Sequence, residues 1–515
     1  MKKFFLSLLC LGLITMSCSN DDNDPVVEEE EIENPEEEDI PVVIELENEI
    51  NDFIWSAMNS WYLWQDEVVE LSDDRFASQN DYYEFLNGFS TPVSLFRTLE
   101  SPKDRFSAIV DDYDILFNSF SGVFKTNGLE FVLTRPPEGG DKVVGVVRYV
   151  INNSDASTKN INRGDIFYAV NGTELFAQTD VDGNITNSNL DLLNPDTFTL
   201  NFADLTAEGV VPNGFNIELV KEEITENPIL ISKVLEVNGT KIGYLMYNSF
   251  TSNFDEQLNT AFSDLKSAGV TELVLDLRYN LGGSVQSATR LSSMITGQFD
   301  GELFAREQWN SKWQSVFGFE NTFVSDIDGA PLNSLGLNSV YIIATDDSAS
   351  ASELVINSLT PYIDVVHIGD VTRGKNEFSV TLVDNTTQQA IFAEGESPSP
   401  IPFIVLGGQF TTVEDSNPNH KYALQPLVGT NVNADGFGEF TNGLQPDFLL
   451  AESLGNLGQL GEQGEPLLDL AIEKITGVTG KSLLIDTPEN LKIHTISSSN
   501  RLKPFREVSN YDIKK

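Results

Sequence analysis

The stretch from Val340 to Lys375, VYIIATDDSASASELVINSLTPYIDVVHIGDVTRGK, constrains the fold more tightly than any other part of the chain. A β-branched run, Val340 to Thr345, predicts a strand and Asp346-Asp347-Ser348 a turn. Ala351 to Leu359 predicts a helix, and Val365 to Ile368, after Pro361, a second strand. A serine therefore stands where a buried strand hands over to a helix. The first amides of a helix are unpaired and point at any oxyanion formed beside such a hydroxyl, a setting that suits a nucleophile. Ser348, Ser350 and Ser352 all meet this criterion, and local reasoning does not choose among them.

A second unit of the same kind lies upstream in TELVLDLRYNLGGS, Thr271 to Ser284. Leu273 to Leu277 is a nearly continuous apolar run and predicts a buried strand. Asn280-Leu281-Gly282-Gly283 then forms a permissive turn into a helix carrying Val285, Ala288, Leu291 and Met294. Paired glycines at such a place let the backbone approach a ligand closely. Before this unit, Lys241 to Phe250 predicts a strand. Phe254 to Ala268 predicts an amphipathic helix with Leu258, Ala261, Phe262 and Leu265 on one face.

SASASE followed by GDVTRGK resembles the signature of the C-terminal processing (tail-specific) serine peptidases, in which the nucleophile precedes a Glu by three residues and a Lys follows 25 positions later. Glu353 then marks Ser350 as nucleophile and Lys375 as general base. The resemblance implies a Ser/Lys dyad, with oxyanion-hole amides from Ala351 and from Gly282 or Gly283 of DLR-x-N-x-GG. It implies a multidomain α/β architecture: a helical N-terminal cap, a PDZ-like β-rich domain and a crotonase-like α/β catalytic domain. The three histidines, His367, His420 and His494, stand in no recognisable triad context. A lysine acts as base only when neutral near pH 7, which burial promotes. Where many members carry a Gln four residues after the Lys, this chain has Ser379.

In chain order, residues 1–17 read as a signal peptide, two lysines before a short apolar run. Cys18 follows Ser17 as in a lipoprotein signal and is the expected lipidation site, leaving no second cysteine for a disulfide in the mature chain. Residues 18–46 are an acidic tether, rich in like charge and free of aromatics, expected to be disordered. These features resemble the PDZ-containing lipoprotein type of Bacteroidetes-like bacteria and place the protein in the cell envelope, as an outer-membrane lipoprotein facing the periplasm or the cell surface. The net charge of −48 argues against nucleic acid as a partner.

Residues 47–120 form the helical cap, with an aromatic stripe at helical spacing (Ile50, Ile54, Ala57, Trp61, Trp64) that reads as core packing. KDRFS, Lys103 to Ser107, resembles the usual ending of this cap and is assigned no chemistry. Residues 121–228 are the PDZ-like domain. Gly164-Asp165-Ile166 and Asn171-Gly172 match its turns, and Gly128-Leu129-Glu130-Phe131 falls where a loop binding a substrate's C-terminal carboxylate belongs. Residues 229–452 are the catalytic domain, in which Asn376 to Gly408 reads as an inserted surface loop and Gly443 to Asp447 matches the family's closing G-x-x-P-D. Residues 453–515 add a helix from Pro466, stopped at Gly477, and a tail without assigned role. Neither a calcium-loop pattern nor HExxH occurs, so neither metal nor cofactor is expected.

The expected activity is endoproteolysis of protein or peptide substrates, selected by their C-termini. The competing readings are a non-catalytic peptide- or glycan-binding surface lipoprotein on a retired scaffold, and a hydrolase of non-peptide acyl groups.

Overall fold

A computed structural model describes residues 43–181, 183–384, 404–406, 416–480 and 491–502. The signal segment, Cys18 and most of the acidic tether lie outside the described residues. The tether ends earlier than its composition implies. Ile44 and Leu46 pack on the core, and the Ile44 amide donates to Asn80 Oδ1 at 3.0 Å.

The cap holds α1 (Glu49–Trp61), α2 (Gln79–Asn87) and α3 (Pro92–Thr98), started by Asn48, Ser78 and Thr91, whose side chains accept from the first turn of each helix. Helix α1 is buried on nearly every face. Trp55 meets Tyr82 and Phe76 edge-on, and Trp61 stacks on Trp313 at 4.6 Å. The aromatic stripe is thus core, as its period implies, but the core it joins extends into the mostly parallel sheet described below. The cap and the parallel sheet share one hydrophobic core.

The β-rich sheet comprises β1 (Leu129–Thr134), β2 (Val144–Val150), β3 (Ile166–Val170), β4 (Thr197–Thr206) and β5 (Gly209–Val220), in the spatial order β5-β4-β3-β2-β1. Its core is formed by Leu129, Phe131, Val147, Phe167 and Phe202, among others.

The mostly parallel sheet, expected to carry the catalytic site, runs β6 (Ile229–Val237), β7 (Thr240–Tyr247), β8 (Glu272–Asp276), β9 (Ser339–Ala344), β10 (Asp364–Gly369) and β11 (Phe448–Leu449) in that order. Its strands are parallel from β7 onward. Helices α4 (Asp255–Ser267), α5 (Val285–Thr296) and α6 (Ala351–Leu359) connect them. Helix α7 (Pro466–Thr476) packs Leu467, Leu468, Ala471 and Ile472 on the opposite face, against Val274, Ile343 and Ile368. With both faces covered, β8 and β9 need apolar side chains on both sides, which is why they read as unbroken apolar runs. Both strands end at the same edge of the sheet, so their two turns are neighbours there.

One expectation is corrected. Asn376 to Asp384 is not surface loop: strands Glu377–Ser379 and Thr381–Val383 are buried, because EFSVTLV carries the β-branched and aromatic residues a core strand demands. Residues 385–403 and 407–415 lie outside the described residues.

Beneath the turns lies a buried charge network. Arg278, fully buried, pairs with Asp276, Glu465 and Glu452. Arg163 of the β-rich region reaches Glu452 at 2.5 Å, and Tyr279 donates its hydroxyl to the same carboxylate at 2.7 Å. Burial alone would raise the Glu452 pKa; Arg163, Arg278 and Arg148 outweigh it and bring the group down to about 2. A carboxylate depressed in the folded state stabilises fully above its unfolded pKa and loses that contribution as pH falls toward the folded one. Glu452 is therefore expected to contribute about 3 kcal/mol at neutral pH, lost between roughly pH 5 and 2. Urea unfolding of the unmodified chain and of Glu452→Gln at pH 7 and pH 3 checks this. The gap between the two should shrink at pH 3, and a constant gap would refute it.

Candidate active site

Ser350 sits between β9 and α6 as the helix N-cap, with φ 56° and ψ −109°, a left-handed backbone that a non-glycine residue adopts only at a cost of about 1–3 kcal/mol. The surroundings enforce it. The Ser350 amide donates to Glu353 Oε2 at 2.8 Å, and its carbonyl accepts from Leu354 at 2.7 Å. The three serines differ in what their hydroxyls do. Ser348 donates its hydroxyl to the Leu277 carbonyl at 2.8 Å and Ser352 to the Asn280 carbonyl at 2.8 Å, and both are fully buried. They tie the turn before α6 to the glycine turn, whereas Ser350 lines a cleft together with Lys375, Ala351, Val285, Asn431 and Phe440.

Gly282 abuts Ser350 directly. A Cβ on Gly282, whose φ is +106°, would lie 2.8 Å from Ser350 Cβ and 3.1 Å from the Ala351 nitrogen. The two expected glycine donors now separate. The Gly282 amide is committed to Asn280 Oδ1 at 2.9 Å, while that of Gly283 donates to no other group among the described residues. Ala351 opens α6, so its amide has no intrahelical partner.

Lys375 is 2% exposed, with Nζ 5.1 Å from the centroid of the Phe106 ring. The loop that carries it is held from two sides. Glu353, fully buried, accepts from Thr372 Oγ1 at 2.5 Å, the Gly374 amide at 2.6 Å and the Lys375 amide at 2.8 Å, besides Ser350. From the cap, the Arg105 guanidinium donates to the Gly374 carbonyl and, at 3.1 Å, to that of Thr441. The Gly374 carbonyl and the Lys375 amide belong to one peptide unit, so both polar ends of the plane preceding the lysine are fixed by charged side chains. Gly374, at φ +78°, has no room for a side chain: a Cβ would meet Thr441 O at 2.4 Å. Arg373 adds a pairing with Asp347 at 2.8 Å in the turn before Ser350.

The sequence reading missed Arg105 and Phe106. KDRFS was the available signal, a charged and aromatic cluster ending the cap, but nothing local connects it to Lys375. Asp104 organises it, accepting from the Phe106 and Ser107 amides at 2.9 Å each and from the Tyr62 hydroxyl at 2.8 Å. Ser379 is buried in a strand paired with Leu427–Val432. His367 faces the Ala344 carbonyl, burial lowering its pKa, and His420 pairs with Asp384 at 2.9 Å. Neither lines the cleft.

The loop Gly128–Phe131 lies apart from this cleft's lining, and the chain's own groups close it. Amides of Gly128, Leu129 and Phe131 donate to Thr126 Oγ1, Asn127 Oδ1 and Ser499 Oγ at 3.0–3.1 Å. Glu130 is buried, not exposed to an incoming carboxylate, and accepts from Ser499 Oγ at 2.7 Å. The amides expected to hold a terminal carboxylate are thus occupied.

Two family models match the chain, the peptidase S41 N-terminal domain over residues 49–108 and peptidase family S41 over residues 241–391. A carboxyl-terminal-processing protease of a Picosynechococcus strain is 25% identical over 184 residues, 35% of this chain and 41% of that protein. The chloroplastic carboxyl-terminal-processing peptidase 1 of Arabidopsis thaliana is 23% identical over 327 residues, 63% of this chain and 60% of that protein. The chain thus spans about half the length of the curated relatives it matches. Among solved structures, a Bacteroides fragilis protein assigned to the S41 proteases is similar with a TM-score of 0.63 at 24% identity, over 83% of this chain and 97% of that one, a likeness of fold.

Proposed function

Because the chain belongs to peptidase family S41, we propose that it is a serine endopeptidase working through a Ser350/Lys375 dyad. The observation that carries this reading is the convergence of Ser350 and buried Lys375 on one cleft, with the two neighbouring serines engaged elsewhere. Ser350 Oγ attacks the scissile carbonyl while the neutral Lys375 amine takes its proton and returns it to the leaving amine. Water then hydrolyses the acyl-enzyme with the same amine as base. The amides of Ala351 and Gly283 hold the oxyanion. The base role needs a neutral amine; the burial of Lys375 works in that direction, and the Phe106 ring and the Glu377 carboxylate beside it work against it.

In this reading the β-rich sheet is a PDZ-like domain that binds substrate segments, the catalytic sheet is crotonase-like, and a lipid on Cys18 holds the protein at the cell envelope. The test is treatment of the full chain with a serine-directed fluorophosphonate, beside degradation of a permanently unfolded protein. Labelling of Ser350 together with degradation is expected; absence of both would overturn the proposal in favour of a binding protein.

A further inference from the structure

The outer edge of β1 carries the chain's own tail. Strand β12 (Thr495–Ser498) lies antiparallel on it, with Thr495 opposite Thr134, Ser497 opposite Leu133 and Ser498 opposite Val132. The seat is built for an extended peptide. Thr134 Oγ1 donates to the His494 carbonyl at 2.9 Å, Ile496 packs against the core of the β-rich sheet, and Ser499 Oγ bridges Glu130 Oε2 and the Phe131 amide. Just before it, Leu491 accepts from the Leu454 amide at 2.8 Å, so the tail runs beside Glu452 and its network under the nucleophile turn.

The two partners in this pairing are unequal. All six residues of β1 are buried, and an apolar edge of that kind demands a cover. The cover is Thr-Ile-Ser-Ser, exposed or half-buried along its length, with Ile496 as its one apolar anchor in the strand and Ser499 as its one buried end. Main-chain pairing of this type takes any extended segment with a suitable anchor. A four-residue strand so lightly held is also among the first elements to open.

We propose that Thr495–Ser499, paired in cis on the β1 edge, is a built-in competitor that an extended peptide segment must displace to add there as a strand. The matching ligand is an extended peptide with an aliphatic residue at the Ile496 position and a hydroxyl residue three positions later, at Ser499. Only the identification of that ligand as substrate rests on the peptidase reading; the occupancy does not.

The experiment measures binding of a fluorescein-labelled peptide of residues 491–502 to the full chain and to full-length Ile496→Asp/Ser499→Ala, by anisotropy. Release of the tail in the double variant is expected to tighten binding at least tenfold, and equal affinities would overturn the proposal. Should the double variant fail to fold, hydrogen exchange on the unmodified chain decides. Amides of 495–499 exchanging at least a hundredfold faster than those of β2 to β4 support a displaceable tail, and equal protection refutes it. Tighter peptide binding with no cleavage by either form would sink the peptidase reading and leave this one standing.

Discussion

Lys375→Arg is expected to be as inactive as Lys375→Ala, each losing roughly a thousandfold or more in cleavage rate while keeping the fold. The pair separates a base from a structural cation. Arginine preserves the positive charge and most of the length, so it would sustain a role in charge balance or in packing against Phe106. It stays protonated in proteins and cannot take the proton from Ser350. Lys375 is 2% exposed, and Glu353 and Arg105 grip only backbone atoms of its loop, so those anchors survive a change of side chain. Arginine also keeps a positive charge beside the buried Glu377 carboxylate, whose burial-raised pKa Lys375 lowers, so Lys375→Arg is the variant expected to change stability least. Initial rates on an unfolded protein, with circular dichroism as control, check the outcome, and substantial activity in Lys375→Arg would remove the lysine base from the mechanism.

What the sequence disclosed follows the range of the forces involved. Helix α6 spans Ala351–Leu359 as its pattern predicts, and α7 ends at Gly477 in a left-handed conformation, because caps, turn residues and periodicity act within a few residues. That Ser348 and Ser352 are engaged was not legible locally, since their hydroxyls donate to a pair of carbonyls about 70 positions away, at Leu277 and Asn280. Only the resemblance, through the spacing to Glu353 and Lys375, singles out Ser350. Arg105 reaches Gly374 across 269 positions and Ser499 reaches Phe131 across 368, and no periodicity encodes such pairings. The strands within Asn376–Asp384 were readable from EFSVTLV, but the Pro- and Gly-containing stretch that follows drew the whole segment into one loop. What the cap packs on was not legible for a related reason: an aromatic stripe announces burial without saying against what.

Glu353→Gln is expected to lower kcat about a hundredfold with KM little changed, the effect of displacing a reacting group by about an ångström. Each of the four groups around Glu353 donates: three amides and the Thr372 hydroxyl. Only an ionised carboxylate accepts from all of them, because a glutamine presents one oxygen and turns its NH2 against the remaining donors. One side chain thereby sets the separation of the Ser350 and Lys375 backbones, which no other described side chain bonds in common. Burial works against it and raises the Glu353 pKa, the four hydrogen bonds opposing that rise. A carboxylate whose folded pKa is raised takes up its proton earlier as pH falls, and the protonated form loses at least one of its acceptor contacts. Activity should then show an acid limb belonging to Glu353, present in the unmodified chain and missing in Glu353→Gln, whose residual rate follows the lysine alone. Global stability of the variant is a poor guide, since removing a buried charge offsets the bonds it loses. The kcat-against-KM split and the shape of the acid limb are the informative readouts. A variant that kept full kcat would show that the dyad holds its spacing without the shared carboxylate.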